Sequence, residues 1–155
     1  MNEQPFELPF IIVPIFFLVV FPAIWLIVSL ILAHMSGWSG LARVYYFPGE
    51  FQGKRWSLES AMLNLVRYKS CLVVGANGEG LYLRPIIVFR FGHPPLFIPW
   101  SEISVQPVKS IFFGHSELRF QQVPRTSLKI GKGLADRLVT AASDYWPAAD
   151  MFEKT

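Results

Sequence analysis

The chain has 155 residues, enough for one domain beside a membrane segment, and 52% of them are hydrophobic. Its formal net charge is +3, and its basic residues are scattered, so composition does not favour nucleic acid as a partner or indicate a polybasic segment. The single cysteine, Cys71, excludes an intramolecular disulfide framework and lies in an apolar run typical of a buried structural thiol.

One uncharged apolar stretch, residues 10–33, predicts a transmembrane helix. As a helix it would be about 36 Å long, and the hydrocarbon core of a bilayer is about 30 Å thick. A signal peptide does not fit, because the preceding residues are acidic and the apolar run is too long. A buried core helix that is apolar on every side would need a larger protein around it. We therefore expect a tail over residues 1–9 and a membrane anchor over residues 10–34.

The charges on either side of this segment predict its orientation. Glu3 and Glu7 precede it without any Lys or Arg, whereas 14 basic and 9 acidic residues follow from Gly37 onward. Basic residues favour the cytoplasmic side. The sequence therefore predicts a single-pass protein of the inner cell membrane with its N-terminus outside and its C-terminal domain in the cytoplasm.

Two residues inside the segment affect how it packs. Pro22 is far enough from either end to predict a kink. Trp25 lies near the middle instead of in an interfacial aromatic belt. It either faces lipid or marks a helix face that packs on another membrane protein.

Residues 35–52 are predicted to form a short amphipathic helix followed by a loop. Trp38, Leu41, Ala42 and Tyr45 recur at helical spacing. Two alternatives remain open for this helix: it lies at the headgroup level, with Trp38, Tyr45 and Tyr46 as interface anchors, or it packs on the following domain.

Residues 53–147 predict a β domain closed by one helix, with a tail over residues 148–155. The strands are expected near residues 55–67, 71–76, 80–87, 96–100, 103–109, 117–123 and 127–130. Asn77-Gly78 between two of them is a strong hairpin signal. The final helix presents one face, formed by Leu134, Leu138, Ala141, Ala142 and Tyr145, and Pro147 ends it.

This order, with the hairpin NGEGLYL (Asn77–Leu83) and the segment LFIPWSEI (Leu96–Ile103), resembles the small bacterial pleckstrin-homology-like and GRAM-like domains. The resemblance covers residues 53–146 and departs from the family pattern at the loop Arg90–Pro95. It implies an α+β, mostly β fold: a bent antiparallel sheet or partly open barrel of about seven strands with a C-terminal helix. That fold serves lipid binding, peptide binding and scaffolding, so it does not specify an activity.

No catalytic, cofactor-binding or metal-ligating pattern occurs in the sequence: HExxH, GxSxG and a phosphate-binding loop are all missing, and His34, His93 and His115 lack metal-ligand spacing. The candidate interaction surface comprises Arg84, Arg90 and His93, together with Phe112 and Phe113 in a second apolar loop. Basic groups beside exposed aromatic rings suit an anionic headgroup or a protein partner.

The first functional hypothesis is a non-catalytic single-pass protein whose cytoplasmic domain binds another membrane protein, as an accessory subunit of a complex. The alternative is an anionic-lipid-binding module, and an unrecognised enzyme is the third. The expected partners are the bilayer, another membrane protein, and anionic headgroups.

Overall fold

The structure is a computed structural model that describes residues 8–108 and 116–147. The helices are α1 (Leu8–Met35), α2 (Trp38–Tyr45) and α3 (Lys132–Ala142). The strands are β1 (Lys54–Leu63), β2 (Val66–Ala76), β3 (Gly80–Pro85), β4 (Leu96–Pro99), β5 (Ile103–Pro107), β6 (Ser116–Phe120) and β7 (Val123–Ile130).

The strands form one antiparallel sheet in the order β4-β3-β2-β1-β7-β6-β5, which curls into a nearly closed barrel. Alternation along the strands directs apolar side chains inward, as with Leu72 and Val74 of β2 and Leu81 and Leu83 of β3. The predicted fold class, an apolar N-terminal helix followed by a mostly β domain and a C-terminal helix, is confirmed. Among the described residues, α1 is the one helix long and apolar enough to span a membrane.

Two hairpin turns fix the register of β1, β2 and β3. The predicted turn after Ala76 is observed: the side-chain oxygen of Asn77 accepts hydrogen bonds from the backbone N–H groups of Glu79 and Gly80. The prediction of one strand over residues 55–67 is wrong, because β1 ends at Leu63. Asn64, at φ +51°, begins a tight turn there, and asparagine tolerates this left-handed conformation better than most residues.

Helix α2 packs on the domain, which is the second of the two alternatives for it. Trp38, Leu41 and Tyr45 are buried in the same core as the sheet. The prediction that Trp38 and Tyr45 anchor the protein at the membrane interface is therefore wrong, since buried rings cannot reach headgroups. Tyr46 is exposed, and its role at the interface stays a prediction.

Helix α3 buries one apolar face against the core, as its spacing predicts. Leu134, Leu138 and Ala142 are buried, and the helix contacts β2. Tyr145 does not belong to this face: α3 ends at Ala142, and Tyr145 is exposed in the short 3-10 turn that follows.

The connection between α2 and β1 covers the outer face of the sheet. The ring of Phe51 stacks on Tyr82 of β3, with 4.7 Å between ring centroids and 8° between the ring planes. Gly75 of β2 makes room for this ring, because a Cβ at that position would lie 2.6 Å from Cε1 of Phe51. The small residue in the strand therefore allows the connection to lie close to the sheet, beside the groove described below.

Candidate membrane-facing site

One face of α1 packs against the domain. Ser29 and Ala33 are buried, and Trp25 on the same face is partly covered. Residues four apart lie on the same side of a helix, so the contact follows a single stripe. The opposing element is the segment of residues 86–92 between β3 and β4, called here the helix-contact loop.

Hydrogen bonds and ring packing join the helix-contact loop to α1. The indole Nε1 of Trp25 donates to the carbonyl oxygen of Val88 at 3.1 Å, and the hydroxyl of Ser29 donates to the carbonyl oxygen of Phe91 at 2.7 Å. The rings of Trp25 and Phe89 pack with centroids 5.2 Å apart. Trp25 thus contacts a loop of its own chain, a contact that neither sequence-based alternative included.

Glycine at position 92 permits this close approach. Its φ of +75° is unfavourable for residues with a side chain, and a Cβ there would lie 2.9 Å from Cδ2 of Leu30. A larger residue would push the helix-contact loop away from α1.

A buried polar cluster lies where α1 meets the sheet. The hydroxyl of Tyr68 is 3.0 Å from Oγ of Ser36 and 2.9 Å from Nε2 of His93. The hydroxyl of Tyr68 donates to Oγ of Ser36, and Nδ1 of His93 lies 3.1 Å from the carbonyl oxygen of Phe91. Burial lowers the pKa of His93 and raises the pKa of Tyr68 to about 12. The cluster is therefore uncharged near neutral pH.

His93 does not belong to the exposed surface on which the sequence analysis placed it. Its side chain is 1% exposed and is held by Tyr68 and Phe91, with the ring of Trp38 5.2 Å away. The prediction that His93 contacts a headgroup or a partner is wrong. Its chemistry is that of a hydrogen-bonded core residue that connects the helix-contact loop to the sheet.

The other two predicted basic residues do lie together. Arg84 and Arg90 line a groove of about 380 Å³, and Arg55, which the sequence analysis did not single out, lines it with them. Glu50 is the acidic residue in its wall. We call this groove the arginine groove. No local sequence signal identifies Arg55, because its position depends on strand register: Arg55 pairs with Gly75 and Gly75 with Tyr82, two residues from Arg84.

Two features make the arginine groove suitable for an anion. Among the described residues, Arg55, Arg84 and Arg90 form no ion pair with a carboxylate. The Nε–H of Arg84 is buried and has no hydrogen-bond partner in the described part of the chain. Buried polar groups are normally hydrogen-bonded, so Arg84 keeps unused hydrogen-bonding capacity in the wall of the groove.

Phe112 and Phe113 lie outside the described residues.

Within residues 8–108 and 116–147, no three His, Cys, Asp or Glu side chains are arranged to hold a metal ion. Cys71 is partly buried, and burial raises the pKa of its thiol.

The fold and the site together define a class: an α+β chain in which one apolar helix is docked on a barrel-like sheet with a basic groove. No protein-family model, curated protein or solved structure matches this chain.

Proposed function

We propose that the chain is a non-enzymatic, single-pass membrane protein whose β domain binds the phosphate of an anionic lipid headgroup in the arginine groove. The observation that carries this proposal is the convergence of Arg55, Arg84 and Arg90 on one groove, with the Nε–H of Arg84 buried and unpaired. Guanidinium groups match the geometry of phosphate oxygens and can bind them in pairs.

The position of the arginine groove supports a lipid ligand. Arg90 belongs to the helix-contact loop, which packs on α1, so the groove opens near the end of the proposed anchor. A tether of this kind raises the local concentration of headgroups, and a modest affinity is then sufficient.

The proposal includes a cytoplasmic domain at the inner membrane. The excess of basic residues after α1 supports this orientation, and the cytoplasmic leaflet is the anionic one. We also propose a relationship to pleckstrin-homology-like domains. The succession of seven antiparallel strands and a closing helix supports it.

Native mass spectrometry of the full chain in mild detergent tests lipid binding. With equimolar phosphatidylglycerol and phosphatidylcholine, we expect the anionic lipid to be retained preferentially. Arg84→Gln and Arg90→Gln should each reduce this preference about fivefold, because a basic residue at an anionic surface contributes about 1 kcal/mol. Arg43→Gln is the matched control, since Arg43 is exposed on α2 and lies outside the arginine groove.

Two results would contradict headgroup binding. One is equal retention of both lipids by the unmodified chain. The other is an equal loss of preference in all three variants, which would indicate a general effect of net charge and not a site.

A second candidate function is binding of another membrane protein, supported by a surface pocket remote from α1. Gly78, Glu79, Trp100 and Tyr145 line this pocket of about 730 Å³. Strand β2 leads from the turn beside α1 to the turn at Gly78, so the pocket lies at the far end of β2. Aromatic side chains with a polar end are common anchors of protein interfaces.

Copurification from membranes tests the second candidate. A stoichiometric partner should accompany the unmodified chain and be lost with Tyr145→Ala. Tyr46→Ala is the matched control, because Tyr46 is also an exposed tyrosine but does not line the pocket. Retention of the partner by Tyr145→Ala would exclude this pocket as the binding surface.

A further inference from the structure

We propose that the helix-contact loop enters the same membrane as α1 and places its exposed apolar side chains among the lipid acyl chains. The loop would then be a second membrane-contact element beside the spanning helix. This inference rests on the proposal that α1 spans a bilayer, and it is independent of headgroup binding in the arginine groove.

The depth of the contact follows from the length of α1. At 1.5 Å per residue, a hydrocarbon core of about 30 Å takes about 20 residues. A core that begins at Phe10 ends near Ser29, so Trp25 lies about 6 Å inside the boundary. Helix tilt adds residues to the span and moves this boundary further toward the domain. The carbonyl oxygen of Val88 accepts a hydrogen bond from the indole of Trp25, so Val88 lies at a similar depth inside the boundary.

The side chains of the helix-contact loop suit that environment. Ile87 is 74% exposed, Val88 is 52% exposed and Phe91 is 56% exposed, although all three are large and apolar. Facing water, one loop would expose three large apolar side chains, whereas among acyl chains each contributes about 25 cal/mol for every Å² removed from water. Arg90 on the same loop can extend its long side chain toward the headgroups and the arginine groove.

Most carbonyl oxygens of the loop have partners within the protein, as an apolar surrounding requires of them. Irregular backbone is tolerated in a membrane only where its polar groups have partners within the protein. The carbonyl oxygens of Ile86, Ile87, Val88, Arg90 and Phe91 each accept a hydrogen bond. Three of these bonds come from N–H groups within or just after the loop, and two come from side chains of α1.

Lipid is the favoured occupant of this patch because the loop is fixed to α1 at the level of residues that are themselves exposed and apolar. Leu26, Leu30 and Ile31 of α1, which flank the contact stripe, are exposed in this way. The surface of the loop continues the apolar surface of the helix. If lipid surrounds α1 at this level, lipid therefore also surrounds the helix-contact loop.

Depth-dependent fluorescence quenching of the full chain tests the proposal. In a Cys71→Ser background, a small environment-sensitive dye is attached to Val19→Cys, Val88→Cys or Val139→Cys, and each protein is reconstituted into phosphatidylcholine vesicles. The native residues are all exposed valines, at 65%, 52% and 42%. Val19 reports on the proposed span, and Val139 on α3 reports on the aqueous face of the domain.

We expect the dye at position 88 to behave like the dye at position 19. Nitroxides on the acyl chains should quench it several-fold more than the dye at position 139, and aqueous iodide should quench it several-fold less. Ile87→Cys should reproduce the result, so that a local effect of one label does not decide the outcome.

Three outcomes would overturn the proposal, and they are distinguishable. If position 88 behaves like position 139 while position 19 stays within reach of the acyl nitroxides, α1 spans the bilayer but the loop does not enter it. If position 19 is itself quenched by iodide, α1 does not span the bilayer, and the proposal that the loop enters the membrane is wrong as well. If position 88 is shielded from both quenchers, protein and not lipid covers the patch.

Discussion

The indole Nε1 of Trp25 donates a hydrogen bond of 3.1 Å to the carbonyl oxygen of Val88, 63 positions further along the chain. With the bond from Ser29 to Phe91, it attaches the helix-contact loop to α1 over two successive turns of the helix. The sheet is therefore held against α1 by direct contacts, in addition to the short connection through α2.

Trp25→Phe should loosen the helix-contact loop. The substitution removes the N–H donor and keeps a ring that can pack on Phe89. With the loop among acyl chains, as proposed above, leaving the carbonyl oxygen of Val88 without a partner costs about 1–3 kcal/mol. Hydrogen exchange at the amides of Phe89 and Arg90 in the full chain should accelerate at least about fivefold, since 1.4 kcal/mol corresponds to a factor of ten.

Phe16→Leu is the control for this experiment, because Phe16 is an exposed aromatic residue of α1 more than two helical turns before Trp25. It should leave the exchange rates unchanged. Equal rates in both variants would contradict a role for the Trp25 hydrogen bond.

Stability should fall as the pH drops below about 6.5, through His93. Burial lowers the pKa of His93 in the folded chain below its ordinary value, so between these two values the unfolded chain binds more protons. The contribution of His93 to the free energy of unfolding is therefore complete above its ordinary pKa of about 6.5. It declines as the pH falls toward the lowered pKa of the folded chain. One such group gives a slope of at most about 1.4 kcal/mol per pH unit. Tyr68, whose pKa is raised to about 12, does not titrate in this range.

Urea unfolding of the full chain in detergent measures this slope, with near-ultraviolet circular dichroism as the signal. The titrations cover roughly pH 7.5 to 5, a range that includes the ordinary histidine pKa of about 6.5. His93→Gln should be less stable at pH 7.5 but should lack the slope. His34→Gln changes an exposed histidine at the end of α1 and should retain it. A slope that survives in His93→Gln would assign it to other groups.

Local patterns in the sequence predicted the local structure. The uncharged run predicted the apolar helix, and Asn77-Gly78 predicted the hairpin. The buried face of α3 was predicted by the spacing of Leu134, Leu138 and Ala142. Each of these features depends on residues close together in the chain. The turn at Asn64 was missed because it interrupts an apolar alternation without a glycine or proline.

The site itself could be predicted only in part. Arg84 and Arg90 were identified from their composition and spacing, whereas Arg55 joins them through strand register, which a single sequence does not provide. His93 was misplaced because a histidine in a Pro-rich loop looks exposed until its hydrogen bonds to the sheet are known. Its burial depends on Tyr68, 25 positions earlier, and no local pattern encodes that pair.

Asn64 should be the most sensitive position of the turn between β1 and β2. Its side-chain nitrogen donates to the carbonyl oxygen of Ser36 at 3.0 Å, and its side-chain oxygen accepts from the N–H of Ser127 at 3.0 Å. Asn64→Ala removes both bonds and places alanine at φ +51°, for a loss of about 2–4 kcal/mol.

Two further variants separate the causes in the same urea titration. Asn64→Gly removes the bonds but relieves the backbone, so it should be more stable than Asn64→Ala by about 1 kcal/mol. Asn64→Asp keeps the acceptor for Ser127 and loses only the donor to Ser36. If all three variants unfold at the same urea concentration as the original chain, the turn does not hold the junction with α1.

Gly75→Ala should destabilise the domain and disturb the arginine groove. The added Cβ would lie 2.6 Å from Cε1 of Phe51 and 3.1 Å from the carbonyl oxygen of Lys54, so the ring of Phe51 must move off Tyr82. Overpacking of this kind costs about 1–3 kcal/mol. Because Phe51 lines the arginine groove, the variant should also show a reduced preference for phosphatidylglycerol.

Gly133→Ala is the matched control for this substitution. Apart from its chain neighbours and the nearby backbone of its own helix, no atom lies within 4 Å of a Cβ added at Gly133, which belongs to α3. Alanine in a helix is favoured over glycine by up to about 1 kcal/mol, so this variant should unfold at the same or a higher urea concentration and bind lipid unchanged. A Gly75→Ala chain as stable as Gly133→Ala would mean that the ring of Phe51 does not pack tightly on β2, and that the wall of the arginine groove is not built on that contact.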